Sequence, residues 1–288
     1  MSGVMGMAVQ ALNAQSMAIG HISDNVANAG TAGYKAVETQ FRDLVQGMQS
    51  AVSPVLGGAK QAGVVAYADF ANRRQGQIAS DLDKPTSAAI DGNGFFAVAK
   101  PASIDPATGV ATSFENETYY TRQGDFHLDS SGRLVNSAGF YLMGSASANG
   151  TTPSVLTIDT RDTAAGVSFE SVSIDDGGVV TVHYDDDTST QQGQVLLANF
   201  REPDKLDRAD GTAYRVTAES GAAVFGNPMA ATNRAGIGTI KGSALENSTV
   251  DTADQMTRLI VAQQAYSMNS QVIQMASEML TTAVNLKS

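Results

Sequence analysis

The sequence predicts an α+β protein whose N- and C-terminal helices pair as a coiled coil, with a central antiparallel all-β domain between them. Three observations predict it. Apolar residues recur at helical seam spacing at both ends of the 288-residue chain, period-two alternation with glycine-rich turns fills the middle, and the composition is poor in Pro (7) and rich in Gly (28). The expected divisions are an N-terminal helix over 1–30, an extended connector over 31–72, a β-rich domain over 73–246 and a C-terminal helix over 247–288. Residues 145–170 are expected to form a long loop or the stub of an inserted domain.

In the first helix Met5, Ala8, Leu12, Gln15, Ile19, Ile22 and Val26 fall three and four apart, which lines them along one stripe. Asn28-Ala29-Gly30 then ends it, since Asn and Gly tolerate the left-handed conformation that closes a helix. The last helix shows a sustained heptad: Leu259, Tyr266, Ile273 and Leu280 recur every seven residues, and Ala262, Asn269, Ala276 and Ala283 fill the partner positions. Ser248, three residues before Asp251, has capping-box spacing, and Asp251 and Asp254 sit where the helix dipole favours negative charge.

Burying the four large heptad residues contributes roughly 1.5–3 kcal/mol each, whereas ordering the helix costs about 1.5 kcal/mol per residue before hydrogen bonds are counted. One thin seam is therefore insufficient alone. Many other positions are small or uncharged polar, among them Gln15, Ser16, Gln263, Gln264, Ser267, Asn269, Ser270, Gln271 and Gln274. Helices of this kind suit an environment of other copies, with the ends weakly ordered in a lone chain and folding on assembly. The expected polymerisation interface is Leu12, Ile19, Ile22, Asn25, Val26 and Asn28 in the first helix and Leu259, Ala262, Tyr266, Asn269, Ile273, Ala276 and Leu280 in the last.

Residues 46–63, rich in Gly, Ser and Ala, suit a connector. Beyond them the strands begin. Ala88 to Ala99 holds Asp91-Gly92-Asn93-Gly94 between apolar flanks, a hairpin-like turn. Tyr119 to Leu128 and Arg133 to Asn136 flank Asp129-Ser130-Ser131-Gly132, and a short strand follows at Phe140 to Met143. Val172 and Ile174 lead into Asp176-Gly177-Gly178, from which Val180, Val182 and Tyr184 alternate out again. Val195 to Phe200 and Tyr214 to Thr217 complete the set.

The net charge of −11 argues against a broad electrostatic grip on nucleic acid or anionic lipid. Without cysteine there are no disulfides, thiolate metal sites or Cys nucleophiles. No apolar run is long enough to span a membrane. The first basic residue is Lys35, so the N-terminus does not read as a cleavable signal. His21, His127 and His183 lack zinc-site spacing, no Gly-Lys pair supports a P-loop, and no Ser nucleophile elbow is present. Asp175-Asp176 and Asp185-Asp186-Asp187 lack the ligand order of an EF-hand and read as solvated turns. No catalytic, cofactor or metal site is expected. The competing readings from other classes are a secreted enzyme or binding module on a β scaffold and an adhesin or surface-layer subunit.

Several motifs resemble those of the bacterial flagellar rod and hook proteins. Asp24-Asn25-Val26-Ala27-Asn28 followed by Gly33-Tyr34-Lys35 and Phe41 is similar to the N-terminal motif of that family, with Asp24 where Asn is usual. Gln75-Gly76 precedes Ala89-Ile90-Asp91-Gly92-Asn93-Gly94-Phe95-Phe96. Then come Tyr120-Thr121-Arg122-Gln123-Gly124-Asp125-Phe126 with Leu134-Val135-Asn136, and Gly242-Ser243-Ala244-Leu245-Glu246-Asn247-Ser248. Val261-Ala262-Gln263-Gln264-Ala265-Tyr266 and Val284-Asn285-Leu286-Lys287 close the series.

The resemblance implies a homopolymer: subunits exported by the flagellar type III apparatus without a cleaved signal and stacked into a helical tube. It further implies terminal helices lining the tube, β domains outside, and contacts with rod, hook-cap and hook–filament junction proteins. The ending Val284-Asn285-Leu286-Lys287 and Gln194 to Phe200 look most like the hook protein, the extracellular universal joint. The distal rod protein, a part of the rigid drive shaft in the periplasm and outer membrane, is the alternative.

Overall fold

In the computed structural model the described residues are 2–45, 62–106, 108–146, 150, 152–159, 168–210, 212–228 and 236–285. The chain forms two compact units. One comprises Met1–Ala29, Ala36–Ala71 and Val250–Ser288, and the other Gly30–Lys35 and Asn72–Thr249.

The first unit contains two helices, α1 (Ser2–Ala27) and α2 (Thr252–Asn285), and an antiparallel strand pair, β1 (Val37–Val45) and β2 (Ala62–Phe70). Both helices are free of proline and rich in Ala, Met, Leu and Gln, residues that lose little rotamer freedom in a helix. After α1 ends, the Asn28 backbone N–H and side-chain amide both donate to the Asp24 carbonyl, the latter at 2.8 Å. The cap of α2 is Asp251, whose Oδ1 accepts from the N–H groups of Ala253 (2.9 Å) and Asp254 (3.3 Å). The capping-box reading from Ser248 is thus corrected: a cap oxygen must reach the N–H two or three residues on, and in a helix opening at Thr252 only Asp251 is so placed.

The β1–β2 pair corrects the expectation of an extended connector over 31–72. Val37, Thr39 and Phe41 share one face of β1 and lie opposite Phe70, Ala68 and Ala66 of β2, so a half-apolar ribbon forms where composition alone suggested linker. Residues 46–61, the centre of that expected connector, lie outside the described residues.

The second unit is built on an antiparallel sheet. Its strands run in the spatial order 169–174, 179–184, 189–195, 141–145, 95–104, 111–121, 213–215 and 207–208. Phe96, Val98, Leu142, Val180, Val182, Val195 and Leu197 join Ile90, Phe126, Leu134 and Ile174 in one buried cluster. Phe95, Ala97, Tyr120, Ala198, Phe200, Leu206 and Tyr214 form a second. Neighbouring residues 95–98 therefore supply alternate clusters, which is why this stretch is continuously apolar.

The Asp91–Gly94 turn was expected to close a hairpin. Instead, strand 88–91 pairs with 239–242, and 95–104 pairs with 111–121, 141–145 and 197–199. Ala88, Ala89 and Ile90 are all fully buried, so this strand is sandwiched and finds its partner elsewhere. The 127–128/134–135 and 169–174/179–184 hairpins form as expected. Within 145–170 the described part forms no unit of its own: Leu156 and Ile158 are buried in the large cluster and strand 154–155 pairs with 141–145.

The sequence motifs meet at one buried ionic knot. Glu246 receives Lys35 on Oε1 and Arg122 on Oε2 (3.2 Å), and all three side chains are at most 3% exposed. Oε1 also accepts from the Gly76 N–H at 2.7 Å. Lys35 donates further to the Arg74 carbonyl (2.6 Å), and Arg122 to the Gly92 carbonyl (2.6 Å). The Gly33 N–H donates to the Glu246 carbonyl at 2.7 Å, and Arg208 donates to the Lys35 carbonyl at 2.8 Å while stacking on the Tyr34 ring. Gly33 has φ +68°, and a Cβ there would lie 2.5 Å from the Arg122 backbone. Hence Gly precedes Tyr34-Lys35 for a steric reason.

Desolvation lowers the Lys35 pKa, with Glu246 opposing and Arg122 adding to the effect. Removing the central carboxylate leaves two buried cations without their counter-charge. Glu246→Gln should therefore lower the unfolding free energy by about 3–5 kcal/mol in a urea titration. Adding Lys35→Met should recover part of the loss, and an unchanged midpoint for the single variant would refute this account.

Burial pushes the Tyr120 phenol up to about 12. Between its ordinary value of about 10 and that pH, the folded chain keeps a proton that the unfolded chain has lost. The contribution is therefore complete below pH 10 and vanishes as pH approaches 12. Tyr120→Phe should flatten the loss of stability in that window, followed by alkaline unfolding and tyrosinate absorbance.

Candidate assembly surface

Asn25 organises the first unit from within. Its Oδ1 accepts from the Val37 N–H (2.9 Å), and its Nδ2 donates to the Val37 carbonyl (2.8 Å) and to Gln255 Oε1 (3.1 Å). One amide thus imitates a strand partner for the first residue of β1 and binds the first turn of α2. His21 adds a 2.9 Å contact to the Thr39 hydroxyl. Asn25 is 1% exposed, which corrects its expected role on a polymerisation surface: its hydrogen-bonding groups are engaged inside the subunit, out of a neighbour's reach.

Helix α1 buries Ala8, Ala14, Ala18, Ile22 and Asn25, while Leu12, Gln15, Ile19 and Val26 are half-buried. The expected seam is rotated toward small residues because α1 packs on both α2 and the β1–β2 ribbon. A helix with two partners buries a wider face than a two-helix seam. In α2, Gln255 and Ala262 are buried, and Leu259, Asn269, Ile273 and Ala276 are half-buried on the same side. Tyr266 is 42% exposed at the edge of that side. Asn28 is half-buried, and the Leu280 side chain lies outside the described residues.

The flank of α2 beside this seam carries a strip the heptad did not reveal. Val261, Met268, Val272, Met275 and Met279 are spaced seven, four, three and four apart, and most are more than half exposed. Between Arg258 and Glu278 the helix has no charged residue. Isolated exposed apolar side chains are ordinary, but a continuous row on an uncharged helix marks an interaction surface.

A groove of about 290 Å³ opens at the N-terminal end of that row, between α1, α2 and β1. Ala18, Ile22, Val37 and Ala262 are its buried floor, and Phe41, Val261 and Ala265 are among its walls. Helical periodicity could have found the strip; the groove needs β1, which the sequence did not disclose.

Away from this unit, the acidic groups cap turns. Asp175 accepts from the Val179 N–H, Asp176 from Gly242, Asp185 from Ser168 and Asp186 from Thr188. Among the described residues no cluster has the makings of a metal site, and no helix is long and apolar enough to cross a membrane.

Two terminal helices with sparsely charged outer faces, joined to a large antiparallel β domain, have the features of a structural subunit. The chain belongs to the flagellar rod and hook protein family. Residues 5–35 match the family profile described as flagella basal body rod protein, 109–182 the flagellar hook protein FlgE/F/G D1 domain, and 241–286 the flagellar basal body rod FlgEFG protein C-terminal. Lys35, Arg122 and Glu246 of the knot each fall in a different one of these segments.

The chain is 31% identical over 272 residues to the flagellar basal-body rod protein FlgG of Bacillus subtilis, covering 92% of each. To the flagellar hook protein FlgE of Brucella suis it is 26% identical over 416 residues, covering 99% of each. To the flagellar hook protein FlgE of Caulobacter vibrioides it is 38% identical over 133 residues, 46% of this chain and 22% of that one.

Replacing Asn25 by Ala strands the Val37 backbone groups in a buried site. This should cost about 1–3 kcal/mol, read as a lowered melting temperature of the helical signal. Asn25→Asp turns a buried carboxylate onto the Val37 carbonyl and Gln255 Oε1 and should melt no higher than Asn25→Ala at neutral pH. Equal melting of all three would show that the amide is dispensable.

Proposed function

We propose that this chain is a hook-type flagellar subunit that polymerises into a flexible helical tube between rod and filament, with its terminal helices paired as a coiled coil. The observation that carries the assembly reading is the uncharged, apolar outer face of α2, which a lone chain leaves in water. Leu12, Ile19 and Val26 of α1, Asn28 just after it, and Leu259, Tyr266, Asn269, Ile273 and Ala276 of α2 retain exposed surface for such contacts. Asn25, Ile22 and Ala262 act by holding the subunit's own shape.

Support for the hook type comes from the 38% identity with a hook protein segment and from the ending Val284-Asn285-Leu286-Lys287. In this role the neighbours are further copies, rod, hook-cap and junction proteins, and the type III export apparatus. The site is the extracellular hook.

A second reading, the distal rod, is favoured by the match of length with the Bacillus rod protein, 92% of each chain. Electron microscopy of the purified chain at high concentration separates the two. Tubes that buckle between straight and curved forms fit a hook, tubes that stay straight fit a rod, and a persistent monomer refutes both. Ile273→Asp puts a charge into the half-buried seam. It should abolish tubes while the strand signal in circular dichroism persists, and surviving tubes would refute the role of the seam.

A further inference from the structure

The first unit carries two apolar features without a partner among the described residues, the groove and the methionine strip on α2. At about 290 Å³ the groove admits one or two large side chains and not another helix, so its occupant is an apolar side chain standing out from a neighbouring surface. Such side chains exist on this chain: Met268 and Met275 on the uncharged stretch and Met279 just beyond Glu278 are 55–61% exposed. Methionine is unbranched and polarizable, suited to filling an irregular apolar opening.

The strip cannot fill its own groove. Val261 and Ala265, which line the groove, and Met268 to Met279 lie on the same continuous helix, so the distance between them is fixed by the helical rise. Only another molecule can bring one to the other. Val261 belongs to both features, so groove and strip form one continuous apolar track along α2.

We infer that the methionine strip of one copy seats in the α1–α2–β1 groove of a second copy displaced along the helix axis. This rests on the assembly reading above and adds which surface meets which. The contact is heterologous, each copy offering a strip at one end and a groove at the other. It therefore propagates instead of closing into a dimer. Glu38 and Arg258 stand at the rim of the groove, where charge can remain hydrated around an apolar centre.

The absence of cysteine makes the test clean. Two single-cysteine proteins of different tagged mass are prepared, Ala265→Cys in the groove and Met275→Cys in the strip. They are co-polymerised, pelleted and oxidised, with electron microscopy of the reduced sample as a check on assembly. The expected result is a mixed disulfide between the two proteins that outweighs both homodimers.

Tubes that cross-link mainly as Met275→Cys homodimers, mainly as Ala265→Cys homodimers, or not at all would overturn this pairing and leave the assembly reading standing. Failure of the parent chain to form tubes would overturn both. As a second measurement, Met268, Met275 and Met279 are all changed to Ser. This should raise the protein concentration needed for pelletable polymer by at least about tenfold with the helical circular dichroism signal retained. An unchanged threshold would count against the strip.

Discussion

The carboxylate of Glu246 holds Lys35 and Arg122 together, residues 211 and 124 positions away from it in the chain, in a buried site. Two cations against one anion in a dry interior is an electrostatic arrangement with little net gain, since desolvating three charges offsets much of their attraction. Its effect is specificity. The backbone groups of Gly33, Gly76, Arg74 and Gly92 complete the coordination, so the charges are satisfied only when the segments around residues 33, 75, 91, 122 and 246 all arrive. A chain with any of them misplaced would bury an unpaired charge.

The helices could be read from sequence because their spacing is local. Leu259, Ala262 and Ile273 do lie on the inward side of α2, and α1 ends where Asn28 suggested. The knot could not be derived in the same way. Lys35, Arg122 and Glu246 stand far apart with no spacing rule to connect them, and the family motifs marked the residues without saying why. The β1–β2 ribbon was missed because its alternating residues border a stretch whose Gly, Ser and Ala content reads as linker.

Among the expected surface residues, the division between inward and outward explains what periodicity alone left mixed. A heptad announces that one side of a helix is covered and is silent on the opposite side. In α2 the covered side holds Leu259 and Ile273, and the flank beside it holds the methionines. Asn25 shows the converse: a polar residue in an end helix, naturally taken for an intermolecular bond, is consumed by the backbone of Val37.

The placing of the knot along the chain bears on mechanics. Lys35 lies two residues before β1 begins, and Glu246 six residues before α2 begins. The segments around Lys35 and Glu246 are bonded to each other by their ion pair and by two backbone hydrogen bonds, Gly33 N–H to the Glu246 carbonyl and Thr249 N–H to the Tyr34 carbonyl. A tension or torque carried by either segment is therefore shared with the other through this clasp, braced by Arg122, as well as with the strands of the sheet.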